Sequence, residues 1–371
     1  VTNALAVIQS YSPWRPSAGV TESGLTIKDL ENSDLTYEKK HELNIGADLG
    51  FLDNRINLTV DWYKRDNFDL IGRVMTQGIG GQIQKYGNVA TMKSRGIEFS
   101  LSTKNIKTKD FSWTTDFIYS HMKNEVTKFN TSTRAFNLVS GIGFSREGYP
   151  VNSLFSYDFR GLNEDGVPTF INEAGVLTST DINFQETERF DNLVYSGPSE
   201  PTDVGSFGNI FQYKGLRLNV FITYSFGNVV RLDPVFSSIY NDLDAMPREF
   251  RNRWMTPGDE RYTDVPAIVS SRQVRNDSKL SYAYNAYNYS TARIAKGDFI
   301  RMKEISLTYD FPKRWIKKLR MSNLALKIQA TNLFLIYADK KLNGQDPEFF
   351  NSGGVATPVP KQFTLTLKIG L

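Results

Sequence analysis

The stretch richest in groups able to hold a ligand runs Ser281-Tyr282-Ala283-Tyr284-Asn285-Ala286-Tyr287-Asn288-Tyr289-Ser290. Phenol rings stack on a sugar ring or a peptide plane with little rotamer entropy to lose, and carboxamides both donate to and accept from the same partners. Tyr282, Tyr284, Asn285, Tyr287, Asn288 and Tyr289 are therefore the candidate substrate-binding residues. A competing reading takes precedence over it: an extended loop or strand top whose tyrosines form an interfacial aromatic girdle.

No comparable constellation supports catalysis, a metal or a cofactor. There is no cysteine to act as nucleophile or thiolate ligand, and no Gly-x-Ser-x-Gly or His-Glu-x-x-His pattern. The two histidines, His41 and His121, lie far apart without a motif around either and read as polar residues at strand ends. Gly78-Ile79-Gly80-Gly81 lacks the Lys-Ser/Thr of a phosphate loop and reads as a loop tip. Asn163-Glu164-Asp165-Gly166 lacks further oxygens at calcium-loop spacing and reads as a turn. With 44 basic and 40 acidic side chains interspersed over 371 residues, the net charge of +4 leaves no footprint for nucleic acid.

The elements that must position these residues are strands. From Arg55, the residues Ile56, Leu58, Val60 and Trp62 alternate with Asn57, Thr59 and Asp61, the period of two that puts successive side chains on opposite faces. The pattern recurs at Leu43–Leu49, Ile97–Leu101, Trp113–Tyr119, Leu216–Phe226, Ile305–Phe311, Leu324–Ala330 and Phe363–Leu371. The chain has no run of 18 apolar residues, so a membrane-crossing helix is excluded, whereas a crossing strand needs only about 9–11 residues. The opening Val1–Ile8 lacks the basic flank and cleavage site of a secretion signal.

Connections alternate between short turns (Gly50–Asn54, the Lys-rich link after Leu101, Lys214-Gly215, Pro312–Met321) and long segments (Lys64–Ser94, His121–Pro150, Asn228–Asp298, Ile336–Gln362). That alternation, together with charged residues such as Arg55, Asp61, Glu98, Asp116, Arg217 and Lys327 on the polar face, suits a transmembrane antiparallel β-barrel with a watery lumen and long extracellular loops. A soluble or surface-exposed β-rich glycan-binding protein is the alternative. Ile56, Leu58, Val60, Trp62, Leu218, Val220, Leu326 and Ile328 are expected to face lipid, and Asn57, Asp61, Arg217 and Lys327 the lumen. If Val151–Arg160 is a wall strand, parity requires another crossing between 162 and 203, at Gly166–Ile171 or Asn192–Ser196. The total is then about ten or eleven strands.

Several segments resemble one family. Leu35-Thr36-Tyr37-Glu38, Phe51-Leu52-Asp53-Asn54-Arg55, Gly87-Asn88-Val89, Ser94–Leu101, Gly297–Leu307, Thr331-Asn332-Leu333-Phe334, Asp346-Pro347-Glu348 and the terminal strand are together similar to the barrel of SusC/RagA-type TonB-dependent outer-membrane transporters. The resemblance implies a barrel of about 22 strands closed by an N-terminal plug. It also implies TonB contact through that plug, a SusD-like surface lipoprotein as lid, and oligosaccharide or peptide cargo. Residues 1–371 would be the C-terminal part of such a barrel, in the outer membrane of a Gram-negative, Bacteroidota-like bacterium, among membrane lipid and lipopolysaccharide. Plug and N-terminal strands would then be carried on a separate or nicked chain. Leu43–Leu49, or a strand just before it, and Phe363–Leu371 would pair with strands outside this sequence.

Overall fold

The computed structural model describes residues 7–11, 24–29, 32–76, 78, 84–141, 146–235, 248–318, 320–350, 358 and 360–370. Among them, nine strands form one antiparallel sheet: β1 (Lys39–Phe51), β2 (Ile56–Met75), β3 (Gln84–Lys107), β4 (Phe111–Phe129), β5 (Asp203–Tyr213), β6 (Leu216–Phe226), β7 (Phe299–Asp310), β8 (Asn323–Ala338) and β9 (Gln362–Gly370). Each pairs only with its neighbours in sequence, so the sheet is a meander with β1 and β9 at its edges. A separate antiparallel pair, Val7–Tyr11 with Gly24–Asp29, precedes it.

Register keeps the two faces chemically distinct. Leu58 stands opposite Leu101 and Val60 opposite Phe99; Leu218 stands between Phe211 and Leu307; Ile328 stands between Leu307 and Leu365. Since a slip of one residue would exchange the faces, this agreement across all nine strands fixes the register. On the other face Asn219 and Gln329 donate to the Glu304 carboxylate at 3.2 and 3.0 Å, and Lys327 and Arg217 lie 3.9 and 3.8 Å from Glu304 and Asp310. Glycine permits two close approaches. A Cβ on Gly96 would fall 2.5 Å from the buried Tyr63 ring, and one on Gly215 2.5 Å from the Asp310 carbonyl.

The short turns sit at one end. Leu52, Asp53 and Asn54 all adopt positive φ, a conformation that Asp and Asn tolerate better than other non-glycine residues. Between Thr108 and Phe111 the backbone and hydroxyl close a turn at 2.8 and 3.0 Å. The β7–β8 link holds a short helix, Lys313–Lys318, and the rings of Tyr309, Phe311 and Trp315 run along it at 5.0 and 6.0 Å.

Two expectations need correction. Much of the supposed long connection 64–94 is strand, because β2 and β3 extend to 20 and 24 residues, and β4 likewise continues through Phe129. Alternation registers where an apolar face ends, whereas the backbone ladder continues wherever N–H and C=O groups still find partners. Second, Val151–Arg160 is not a wall strand. Ser153–Tyr157 pairs with Leu193–Pro198, and Phe159–Leu162, Pro168–Ile171 and Leu177–Thr178 form a small sheet. Both candidate segments are thus strands, but outside the wall, which has nine strands among the described residues rather than ten or eleven. The parity problem disappears because β4 pairs directly with β5.

Candidate functional site

The polar face of the sheet and the folded layer at its long-connection end both present polar side chains that a ligand could meet. That layer is one module built from two insertions, 130–202 between β4 and β5 and 227–298 between β6 and β7. Ala135, Leu138, Phe155, Tyr157, Phe170 and Leu193 from the first pack with Val235, Ala286 and Tyr287 from the second.

Arginine joins the two halves. Arg231 donates to the carbonyls of Val139 and Phe155 at 3.1 and 2.8 Å and to the Ser156 hydroxyl at 3.3 Å. It also reaches the Ser290 carbonyl at 3.5 Å and lies over the Tyr289 ring. Burial pulls its guanidinium down to about 10, so it stays charged at neutral pH. Arg293, 2% exposed, pairs with Glu249, donates to the Asp233 carbonyl at 2.6 Å and lies over the Tyr287 ring. Arg301 pairs with Asp346 and, at 3.1 Å, with Glu348. Two of the segments that carried the family resemblance, around 301 and 346, therefore meet in a nearly buried ion pair.

The tyrosine-rich stretch is neither an extended loop nor a strand top: it forms the helix Lys279–Asn288 and its cap. Helical periodicity divides the candidate residues by face. Tyr284 is 3% exposed, with its hydroxyl donating to the Ala267 carbonyl at 2.8 Å. Tyr287 is 2% exposed and edge-on to Phe159, and the buried Asn288 accepts from the Val235 N–H at 3.0 Å. Tyr289 is half-buried, packed edge-on to Phe136. Only Tyr282 and Asn285, one helical turn apart, are exposed. Spacing in the sequence held a clue: apolar Ala283 and Ala286 sit among the buried positions, a helical rather than a period-two arrangement. Arg231 and Arg293 were missed because single basic residues in long connections carry no pattern.

The histidines lie within strands. His41 packs edge-on to Phe68 at 5.1 Å. His121 Nδ1 lies 2.8 Å from Asp203, which also accepts from the Tyr119 hydroxyl at 2.6 Å. Asn163 closes a turn by accepting from the N–H groups of Asp165 and Val167, and Asn172 does the same for Ala174 and Val176. Most of the Gly78–Gly81 tip lies outside the described residues.

Burial pushes the Tyr287 phenol up to about 12 from its ordinary 10, and raises Tyr157 as well. Below pH 10 the Tyr287 phenol is protonated whether the module is folded or not. Between pH 10 and 12 only the folded form keeps the proton, so each pH unit in that window withdraws about 1.4 kcal/mol of stability. The module is expected to loosen there, as read by hydrogen exchange against pH. Tyr287→Phe should remove part of the dependence; an unchanged profile would contradict the burial argument.

A meander of two-faced strands, turned tightly at one end and capped by a folded loop module at the other, is the wall of a β-barrel. Residues 6–333 match the model of the family described as "TonB dependent receptor-like, beta-barrel". The chain belongs to that family. It is 27% identical over 357 residues to the TonB-dependent receptor SusC of Bacteroides thetaiotaomicron, covering 92% of this chain and 32% of that protein. It is 26% identical over 344 residues to the TonB-dependent receptor P3 of Formosa agariphila, covering 88% of this chain and 32% of that one. Among solved structures, that of the RagAB peptide transporter superposes with a TM-score of 0.77 at 24% identity, over 100% of this chain and 39% of that one. The chain thus spans about a third of the length of the curated relatives it matches.

Proposed function

We propose that this chain supplies part of the wall and the extracellular loop module of a Gram-negative outer-membrane transporter that imports nutrients by TonB-dependent uptake. The observation that carries the reading is the sheet itself. Its apolar face suits lipid and its hydrogen-bonded polar face suits a lumen, and among the described residues its edge strands β1 and β9 each have a neighbour on one side only. Unpaired N–H and C=O groups in hydrocarbon cost several kcal/mol each, so both edges would be completed by strands outside this sequence, in a portion that also holds the plug and the TonB contact. The work is transport rather than catalysis.

The likeness to SusC and to the RagAB peptide transporter supports oligosaccharide or peptide as cargo and a SusD-like lipoprotein over the loop module. Tyr282 and Asn285, the exposed members of the aromatic and amide set, would be available to such a cargo. Tyr284 and Tyr287 would act from behind by holding the helix.

Facing is the decisive test. Leu58→Arg would place a charge in the lipid-facing belt and is expected to cost roughly 2–4 kcal/mol of assembly. Asn57→Asp, one residue away and facing the lumen, should assemble as the wild type does. This sequence contains no cysteine, so single cysteines at the two positions can be probed with lipid-soluble and water-soluble reagents. Equal assembly yields and equal labelling from both sides would rule out the wall.

A further inference from the structure

The apolar face of β2–β4 ends in a row of positive charge. Register stacks its side chains in layers: Val60, Phe99 and Tyr119; then Trp62, Ile97 and His121; then Lys64, Arg95 and Lys123, directly opposite one another on three adjacent strands. Lys93 stands one layer higher, between Asp66 and Glu125. Strands lie about 4.8 Å apart, so the three charges of the row fall within about 10 Å.

Like charges directly opposite on a sheet repel, and the two carboxylates nearest on this face, Asp66 and Glu125, stand beside Lys93 one layer higher rather than within the row. Lys64, Lys93, Arg95 and Lys123 are all exposed, and among the described residues none of them is in an ion pair. With Asp66 and Glu125 counted, the group still carries a surplus of positive charge. A hollow of about 380 Å³ lies against it, lined by Trp62, Lys64, Lys93, Arg95, Lys123 and Glu125 among others.

We propose that Lys64, Arg95 and Lys123, with Lys93 above them, bind the phosphorylated headgroup of a lipid in the outer leaflet. The inference rests on reading the sheet as a membrane wall, and goes beyond it by assigning a site. The position selects a lipid over a free anion. The row lies where the apolar layers stop on the long-connection side, so acyl chains below a bound phosphate would run down over Trp62, Ile97, Phe99 and Val60. Arg95 offers planar paired donors to phosphate oxygens, and the flanking lysines add point charges. The indole of Trp62, 38% exposed, sits at the boundary where amphipathic rings are favoured.

The test uses the intact receptor in detergent, titrated with diphosphorylated lipid A and read by native mass spectrometry. Wild type is expected to bind it, and Lys64→Gln/Arg95→Gln/Lys123→Gln to bind at least tenfold more weakly. The dephosphorylated lipid should bind wild type no better than the phosphorylated one binds the variant. Inorganic pyrophosphate at a hundredfold excess should not compete; full competition would mean a free-anion site and overturn the lipid assignment. Should the triple variant fail to assemble, Arg95→Gln alone is read, with a threefold loss expected, and an unchanged affinity overturns the proposal. Labelling at position 58 on the same preparation separates the two levels. Lipid-side labelling with no effect of neutralising the row sinks the site alone, whereas loss of lipid-side labelling sinks the wall as well.

Discussion

Replacing Arg293 with Ala is expected to destabilise the loop module by about 3–5 kcal/mol, the usual consequence of removing one partner of a buried ion pair. The arginine is almost wholly enclosed. Its loss leaves the Glu249 carboxylate and the Asp233 carbonyl without their donor and removes the cation from the face of Tyr287. Hydrogen–deuterium exchange on the intact receptor should show faster exchange in Arg248–Asn252 and around Asp233, with the wall strands unchanged. Arg293→Lys should rescue only part, since one ammonium cannot serve the carboxylate and the carbonyl with the geometry of a planar fork. If exchange in these segments stays at the wild-type level, the pair does not hold the module.

Phe155→Ala should have a similar effect by a different route, about 3–5 kcal/mol from lost transfer energy and the cavity left behind. All five residues of Ser153–Tyr157 are buried, and Phe155 packs against the rings of Tyr149 and Tyr195 at 4.9 and 5.5 Å. Faster exchange is expected in Leu193–Pro198, its partner strand. Phe155→Leu, which fills most of the volume, should cost much less. Equal effects of the two substitutions would mean that the site collapses around the smaller side chain and that packing there is not limiting.

Alternation made the wall legible in the sequence because lipid and water impose opposite chemistry on successive residues. Leu58, Val60, Leu218, Leu326 and Ile328 could therefore be assigned to one face from spacing alone. The same logic could not follow β2, β3 and β4 above Trp62, where charged residues enter the outer face, register shifts break the period of two, and the apolar residues gather in a local cluster of Leu70, Val89 and Ala90. It also misplaced Ser153–Tyr157: a short strand enclosed on both faces has the same local pattern as a wall strand, and only its partner distinguishes them. In the candidate site, composition drew attention to Tyr282–Tyr289, yet residue type does not say which rings face outward. The helix turns Tyr284 and Tyr287 into core and leaves Tyr282 and Asn285 outside. Arg231 and Arg293 were silent because their importance comes from carbonyls and carboxylates tens of residues away.

The division of the connections also governs the order in which the chain can come together. The pairs β1–β2, β3–β4 and β5–β6 close over a few residues each, so they can zip as local units. Joining β4 to β5 must instead bring the ends of the 130–202 excursion together, which costs roughly 3 kcal/mol more in loop closure than the turn at 108–110. A preformed first insertion would shorten that search, yet its core is completed by Val235, Ala286 and Tyr287 from beyond β6. The module and the middle of the sheet are thus structurally interlocked: the core of the first insertion is complete only when residues from beyond β6 are in place.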